Sequence, residues 1–123
     1  MTKAKTALAE LTEISSQIEA AVLVDSKGAV TASTLPDERA ASLASSARAV
    51  LESAQQIRDG EVTQLEVASG EGSLFVVREG DRLIAATAGP EPTAGLVFYD
   101  LRSTLRKATE RKKTTRTKTS GTP

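Results

Sequence analysis

Apolar residues near the start of the chain recur at helical spacing: Leu8, Leu11, Ile14 and Ile18 fall on one line, and Glu10 and Glu13 lie off it. This spacing predicts an amphipathic helix over residues 3–16, capped by Thr2 and dependent on docking for its stability. The pattern then changes to two strands, Ala20–Asp25 and Ala29–Ser33, joined by Asp25-Ser26-Lys27-Gly28. In that turn Asp25 serves as acceptor for nearby backbone N–H groups and Gly28 supplies a positive φ. The first strand is apolar at Ala21, Val22, Leu23 and Val24 in succession, which predicts a central strand covered on both faces.

The next helix opens at Pro36, with Asp37 and Glu38 in its first turn, and is expected to close at Arg58-Asp59-Gly60. Its apolar arc is Leu43, Ala47, Val50, Leu51, Ala54 and Ile57. A second stripe of small residues, Ser42, Ser46, Ala49 and Ser53, runs beside it. Three more strands follow at Val62–Ala68, Ser73–Arg78 and Arg82–Ala88, and their short turns predict an antiparallel meander. A last helix starts near Thr93, with Leu96, Val97, Phe98, Tyr99, Leu101 and Leu105 on a broad apolar face. The order is α-β-β-α-β-β-β-α, an α+β class domain over residues 1–108. Residues 109–123 offer nothing to bury and are expected to form a disordered Lys/Arg/Thr-rich tail.

Charge adds an asymmetry. Residues 1–101 carry eight Lys/Arg against fifteen Asp/Glu, a net −7, and residues 102–123 carry eight against one, a net +7. The basic end has three readings: a solubilising tail, a salt-sensitive contact with nucleic acid or an anionic surface, or a contact with acidic protein. At 2% aromatic residues the chain has no stacking platform for single strands.

Composition removes most chemistry. With no Cys and no His, one chain cannot build a thiolate or imidazole metal site, a haem ligand set, a cysteine nucleophile or an imidazole-dependent triad. The absence of Cys suits a reducing compartment, and a cytoplasmic location is expected. The longest apolar run, Ala20-Ala21-Val22-Leu23-Val24, falls far short of the ~20 residues that cross a bilayer. Gly70-Glu71-Gly72-Ser73 lacks the third glycine of a dinucleotide loop and sits in a hairpin, and no Gly-x4-Gly-Lys-Ser/Thr occurs. Glu66 with Glu71, or Glu79 with Asp81, reads as solvated charge, and Ser26-Lys27 as a turn. The sequence calls for no catalytic residue, cofactor or metal.

The candidate site is therefore a surface. Ser42, Ser46, Ala49 and Ser53 either face water or admit a second helix closely. The strand after that helix (Val62, Gln64, Leu65, Glu66, Val67) reads as a sheet edge that pairs with its own symmetry copy in a two-fold dimer.

A family resemblance is carried by the first helix, the long Ala/Ser helix and, most of all, the hairpin Ala20-Ala21-Val22-Leu23-Val24-Asp25-Ser26-Lys27-Gly28-Ala29-Val30-Thr31-Ala32-Ser33 and Gly95-Leu96-Val97-Phe98-Tyr99-Asp100-Leu101-Arg102 at the last helix. In this element order, over about residues 5–107, the chain resembles the Roadblock family of dynein light chain and MglB-like proteins. The resemblance implies a five-stranded antiparallel sheet with the middle helix on one face and the terminal helices on the other. It also implies dimerisation through the third strand and the middle helix, and a non-enzymatic adaptor or regulator of a Ras-like small GTPase. Stimulation of GTP hydrolysis by that partner is one form such regulation takes, without a donated arginine. Arg39, Arg48 and Arg58, all expected on the middle helix, match no catalytic motif. A second functional class stays open: a ligand-sensing or nucleic-acid-associated accessory domain, favoured by a pocket lined by Phe75, Phe98 and Tyr99.

Overall fold

The structure, a computed structural model, describes residues 3–109. Thr2 and residues 110–123, where the expected cap and most of the expected tail fall, lie outside the described residues. Along the chain come α1 (Lys3–Ile14), β1 (Ile18–Val24), β2 (Val30–Ser33), α2 (Asp37–Gln56), β3 (Gln64–Ala68), β4 (Ser73–Glu79), β5 (Arg82–Ala88) and α3 (Ala94–Thr109). The strands form one antiparallel sheet in the order β2-β1-β5-β4-β3.

Strand alternation sends apolar side chains to two separate cores. On one face, Ala21 and Leu23 of β1, Phe75 and Val77 of β4, and Ile84 and Ala86 of β5 meet Leu8 and Leu11 of α1 and Val97, Leu101 and Leu105 of α3. On the other, Val22, Val24, Val76, Leu83 and Ala85 meet α2. Thus β1 is covered on both sides, as its unbroken apolar run requires.

Helix α1 ends at Ile14, earlier than the periodicity predicts. The Ser15 N–H donates to the Leu11 carbonyl at 2.9 Å, and the chain turns into β1, where Ile18 is buried as a strand residue. Ile14 is left 62% exposed. Helix α2 also stops early, at Gln56, so Arg58 lies beyond it. Its buried line is Ala40, Ala44, Ala47 and Leu51: the predicted Ala47 and Leu51 are in it, Leu43, Val50 and Ala54 are half-buried, and Ile57 is 76% exposed. Alanine side chains bring the helix axis close to the sheet. The larger Leu43 and Val50 are displaced to its flank, where they pack half-buried beside Val62, Leu65 and Leu74.

The β1–β2 turn forms as predicted. Asp25 Oδ1 accepts from the Lys27 N–H at 2.9 Å and the Ala29 N–H at 3.0 Å, and Gly28 adopts φ 87°. These bonds, the one from Ala29 foremost, hold the Asp25 carboxyl below the usual carboxylate range. Because the folded-state pKa is depressed, the ionised turn contributes stability above about pH 4 and loses it as pH falls through the lower folded value.

Asp25→Ala is therefore expected to lower the thermal midpoint at pH 7, and the gap from the parent chain should shrink on acidification below about pH 4. A gap constant with pH would contradict the role given to the charge. Phe75→Ala, at a fully buried ring, is expected to cost about 3–5 kcal/mol in urea denaturation.

Candidate functional site

Strand β3 pairs only with β4, and among the described residues no strand lies beyond it. The Arg78 N–H donates to the Thr63 carbonyl at 2.7 Å and the Ser69 N–H to the Gly72 carbonyl at 2.8 Å. Alternation along an antiparallel ladder then turns the amides of Leu65 and Val67 toward β4 and those of Gln64, Glu66 and Ala68 outward. Gln64, Glu66 and Val67 are exposed, Val67 at 46%, while Val62 and Leu65 are half-buried against the α2 core. Edge strands are commonly blunted by Lys, Pro or a bulge, and β3 has none of these. Its one charge is Glu66, at the strand centre.

The predicted small-residue stripe is on the exposed side of α2. Ser42, Ser46, Ala49 and Ser53 are all exposed on α2, on the side turned away from the alanine line. Leu43 and Val50 occupy the flank nearest β3, whereas Ala41, Ser45 and Arg48 line the opposite flank with Lys27, Gly28 and Val30 of the hairpin. Sequence periodicity assigned Leu43 and Val50 to the core. Their intermediate burial, which no helical wheel provides, sets them between core and surface.

Two polar anchors hold the edge. The Gln55 side chain donates to the Gly60 carbonyl and accepts from the Val62 N–H, both at 2.8 Å. Arg78 Nη2 donates to Gln55 Oε1 at 2.9 Å and to the Val62 carbonyl at 2.8 Å, with Glu61 Oε2 3.7 Å away. These bonds pull the chain off α2 after Gln56 and deliver it to β3. From the other face, Arg102 Nη2 of α3 donates to Gln64 Oε1. Gln64 therefore points toward the α1/α3 layer, and by alternation so does Glu66. The bonds made by Arg78 and Arg102 join residues 16 to 38 apart, which leave no local signal in the sequence.

Among the described residues, Phe75, Phe98 and Tyr99 do not share a cavity lining: Phe75 is in the core, Phe98 packs half-buried against it edge to face with ring centroids 5.0 Å apart, and Tyr99 is 65% exposed. Of the carboxylates weighed as pairs, Glu79 is bound to Arg106 at 3.0 Å instead. Among the described residues no cluster of three metal-ligating side chains occurs, and no helix is long and apolar enough to cross a membrane.

A five-stranded antiparallel sheet between one helix and a helix pair, in this order, is the roadblock fold. The chain belongs to the Roadblock/LC7 domain family, whose model matches residues 4–88. The Roadblock/LC7 domain from Streptomyces avermitilis superposes with TM-score 0.71 at 24% identity, over 80% of this chain and 88% of that one. Myxococcus xanthus MglB superposes with TM-score 0.68 at 20% identity, over 89% and 94%. An MglB in a tetrameric arrangement gives 0.65 at 20%, over 86% and 85%. No match is found among curated proteins.

Gln55→Ala is expected to cost about 1–3 kcal/mol, because the Val62 N–H loses its acceptor. Faster hydrogen exchange at the Val62 amide checks it; unchanged exchange there contradicts the anchoring role.

Proposed function

We propose that this protein is a homodimeric adaptor that regulates a Ras-like small GTPase, and that its two copies join through β3 and α2. The observation that carries the reading is the β3 edge: an unblunted row of outward amides beside a half-covered apolar flank. Pairing that edge with its symmetry copy gives outward amides partners in both chains and produces a closed, isologous contact.

The helices meet along the flank of α2 that adjoins β3. Leu43, Ser46, Val50, Ser53 and Ile57 recur there at three- and four-residue spacing, the seam of a near-antiparallel pair. Ser46 and Ser53 belong to both this seam and the predicted small-residue stripe, whereas Ser42 and Ala49 border it. Small residues admit close approach, and Leu43 and Val50 supply the apolar area that the alanine line withholds.

The regulatory role is supported by family membership and by the likeness to MglB, one structure of which has a tetrameric arrangement. The open β3 edge and the half-buried flank of α2 beside it suit association with another protein surface. Regulation by such a surface works through differential affinity for the partner's nucleotide states.

Ser46→Lys, which places a charge in the helix seam, is expected to weaken the dimer at least tenfold in sedimentation equilibrium; an unchanged dissociation constant removes α2 from the contact. For the partner, the purified chain is immobilised and offered Ras-like small GTPases loaded with GDP or a non-hydrolysable GTP analogue. Retention that depends on the nucleotide supports the reading, and failure to retain any of them in either state overturns it.

A further inference from the structure

We infer that the two β3 strands pair in a single register centred on Leu65, fixed by a contact between Glu66 of one copy and Arg102 of the other. This inference rests on the proposed dimer and specifies its geometry.

A two-fold axis perpendicular to the sheet keeps each residue on its own face, so residues opposite one another differ by an even number. For a strand running Gln64–Ala68, three central registers meet that condition. Centring on Glu66 sets the two Glu66 carboxylates opposite each other, and like charges directly opposed destabilise a pair. Centring on Val67 sets Glu66 opposite Ala68 and leaves the carboxylate without a partner. Centring on Leu65 sets Glu66 opposite Gln64 of the other copy.

The third register alone brings opposite charge to Glu66. Gln64 carries the Arg102 guanidinium on its side-chain oxygen, on the face to which Glu66 also points. Opposed Cβ atoms lie about 4.5–5.5 Å apart, so Glu66 of the second copy arrives beside the Gln64–Arg102 pair. Symmetry makes the contact twice. On the α2 face the same register stacks Leu65 on Leu65 at the axis, beneath the helix seam, and joins two half-buried side chains. Gln64 and Glu66 then form a pair bonded through their outward amides, and Leu65 faces Leu65 at a non-bonded position with Cα atoms about 4.5 Å apart.

The test is a charge swap read by sedimentation equilibrium of the full chain. Glu66→Lys and Arg102→Glu should each weaken the dimer about tenfold, since two symmetry-related contacts change sign. The double variant should recover most of the parent affinity. Arg102→Glu also breaks the bond to Gln64 within the chain, so circular dichroism checks that each variant keeps the fold. A tighter dimer with Glu66→Gln establishes the Glu66-centred register and overturns this one. Indifference to both substitutions, or failure of the double variant to recover, overturns it as well. As an independent readout in a chain with no cysteine of its own, Leu65→Cys should cross-link under mild oxidation more completely than Val67→Cys, since the separation at Leu65 suits a disulfide; the reverse order overturns the register. A parent chain that stays monomeric at every concentration overturns the dimer itself, which separates that failure from a failure of register alone.

Discussion

The free edge of β3 is the constraint around which the rest of the molecule is arranged. Sheet order places β5 at the centre, between β1 and β4, and leaves two margins, β2 and β3. Backbone N–H and C=O groups on a margin demand water or a partner. At β3 the demand coincides with apolar flanks that neither sheet nor helix covers completely. Polar anchors on both faces hold this margin straight: Gln55 and Arg78 from the α2 side, and Arg102 from the α3 side. A rigid edge is preorganised, so pairing it costs little additional ordering entropy.

Helix α2 links the edge to the surface above it. Its sheet-facing line is built from Ala40, Ala44 and Ala47, with Leu51 the one large residue. A helix seated on alanines lies low over the sheet and buries little area per turn. The large residues that ordinarily anchor such a helix, Leu43 and Val50, lean instead toward the β3 side. In the proposed dimer that lean has a use, because the same residues are finished by the partner helix. The apparent underpacking of one chain and the openness of its edge then have a common resolution.

Much of this was legible in the sequence. The order of elements, the Asp25–Gly28 turn and the double coverage of β1 follow from local rules: side-chain acceptance at a turn, positive φ at glycine, and an unbroken apolar run. Local rules fell short where tertiary contacts decide. Ile18 continues the helical spacing of α1, yet the chain turns after Ser15 and buries it in a strand. The α2 arc reads correctly at Ala47 and Leu51, but the contact extends along Ala40 and Ala44 instead of Leu43 and Val50, and Ile57 is left exposed. The strand itself was visible as a regular apolar alternation. It was also expected at a sheet edge, where the strand order places it, whereas Arg102 on Gln64 joins segments that share no local pattern.

The direction of the β3 amides yields the most direct measurement of the central claim. Hydrogen exchange of the Gln64 and Glu66 amides, followed residue by residue across a range of protein concentrations, reports whether the outward edge is occupied. The account predicts that these amides exchange slowly at high concentration and faster on dilution, with Leu65 and Val67 protected throughout by β4. Fast, concentration-independent exchange at Glu66 would contradict it.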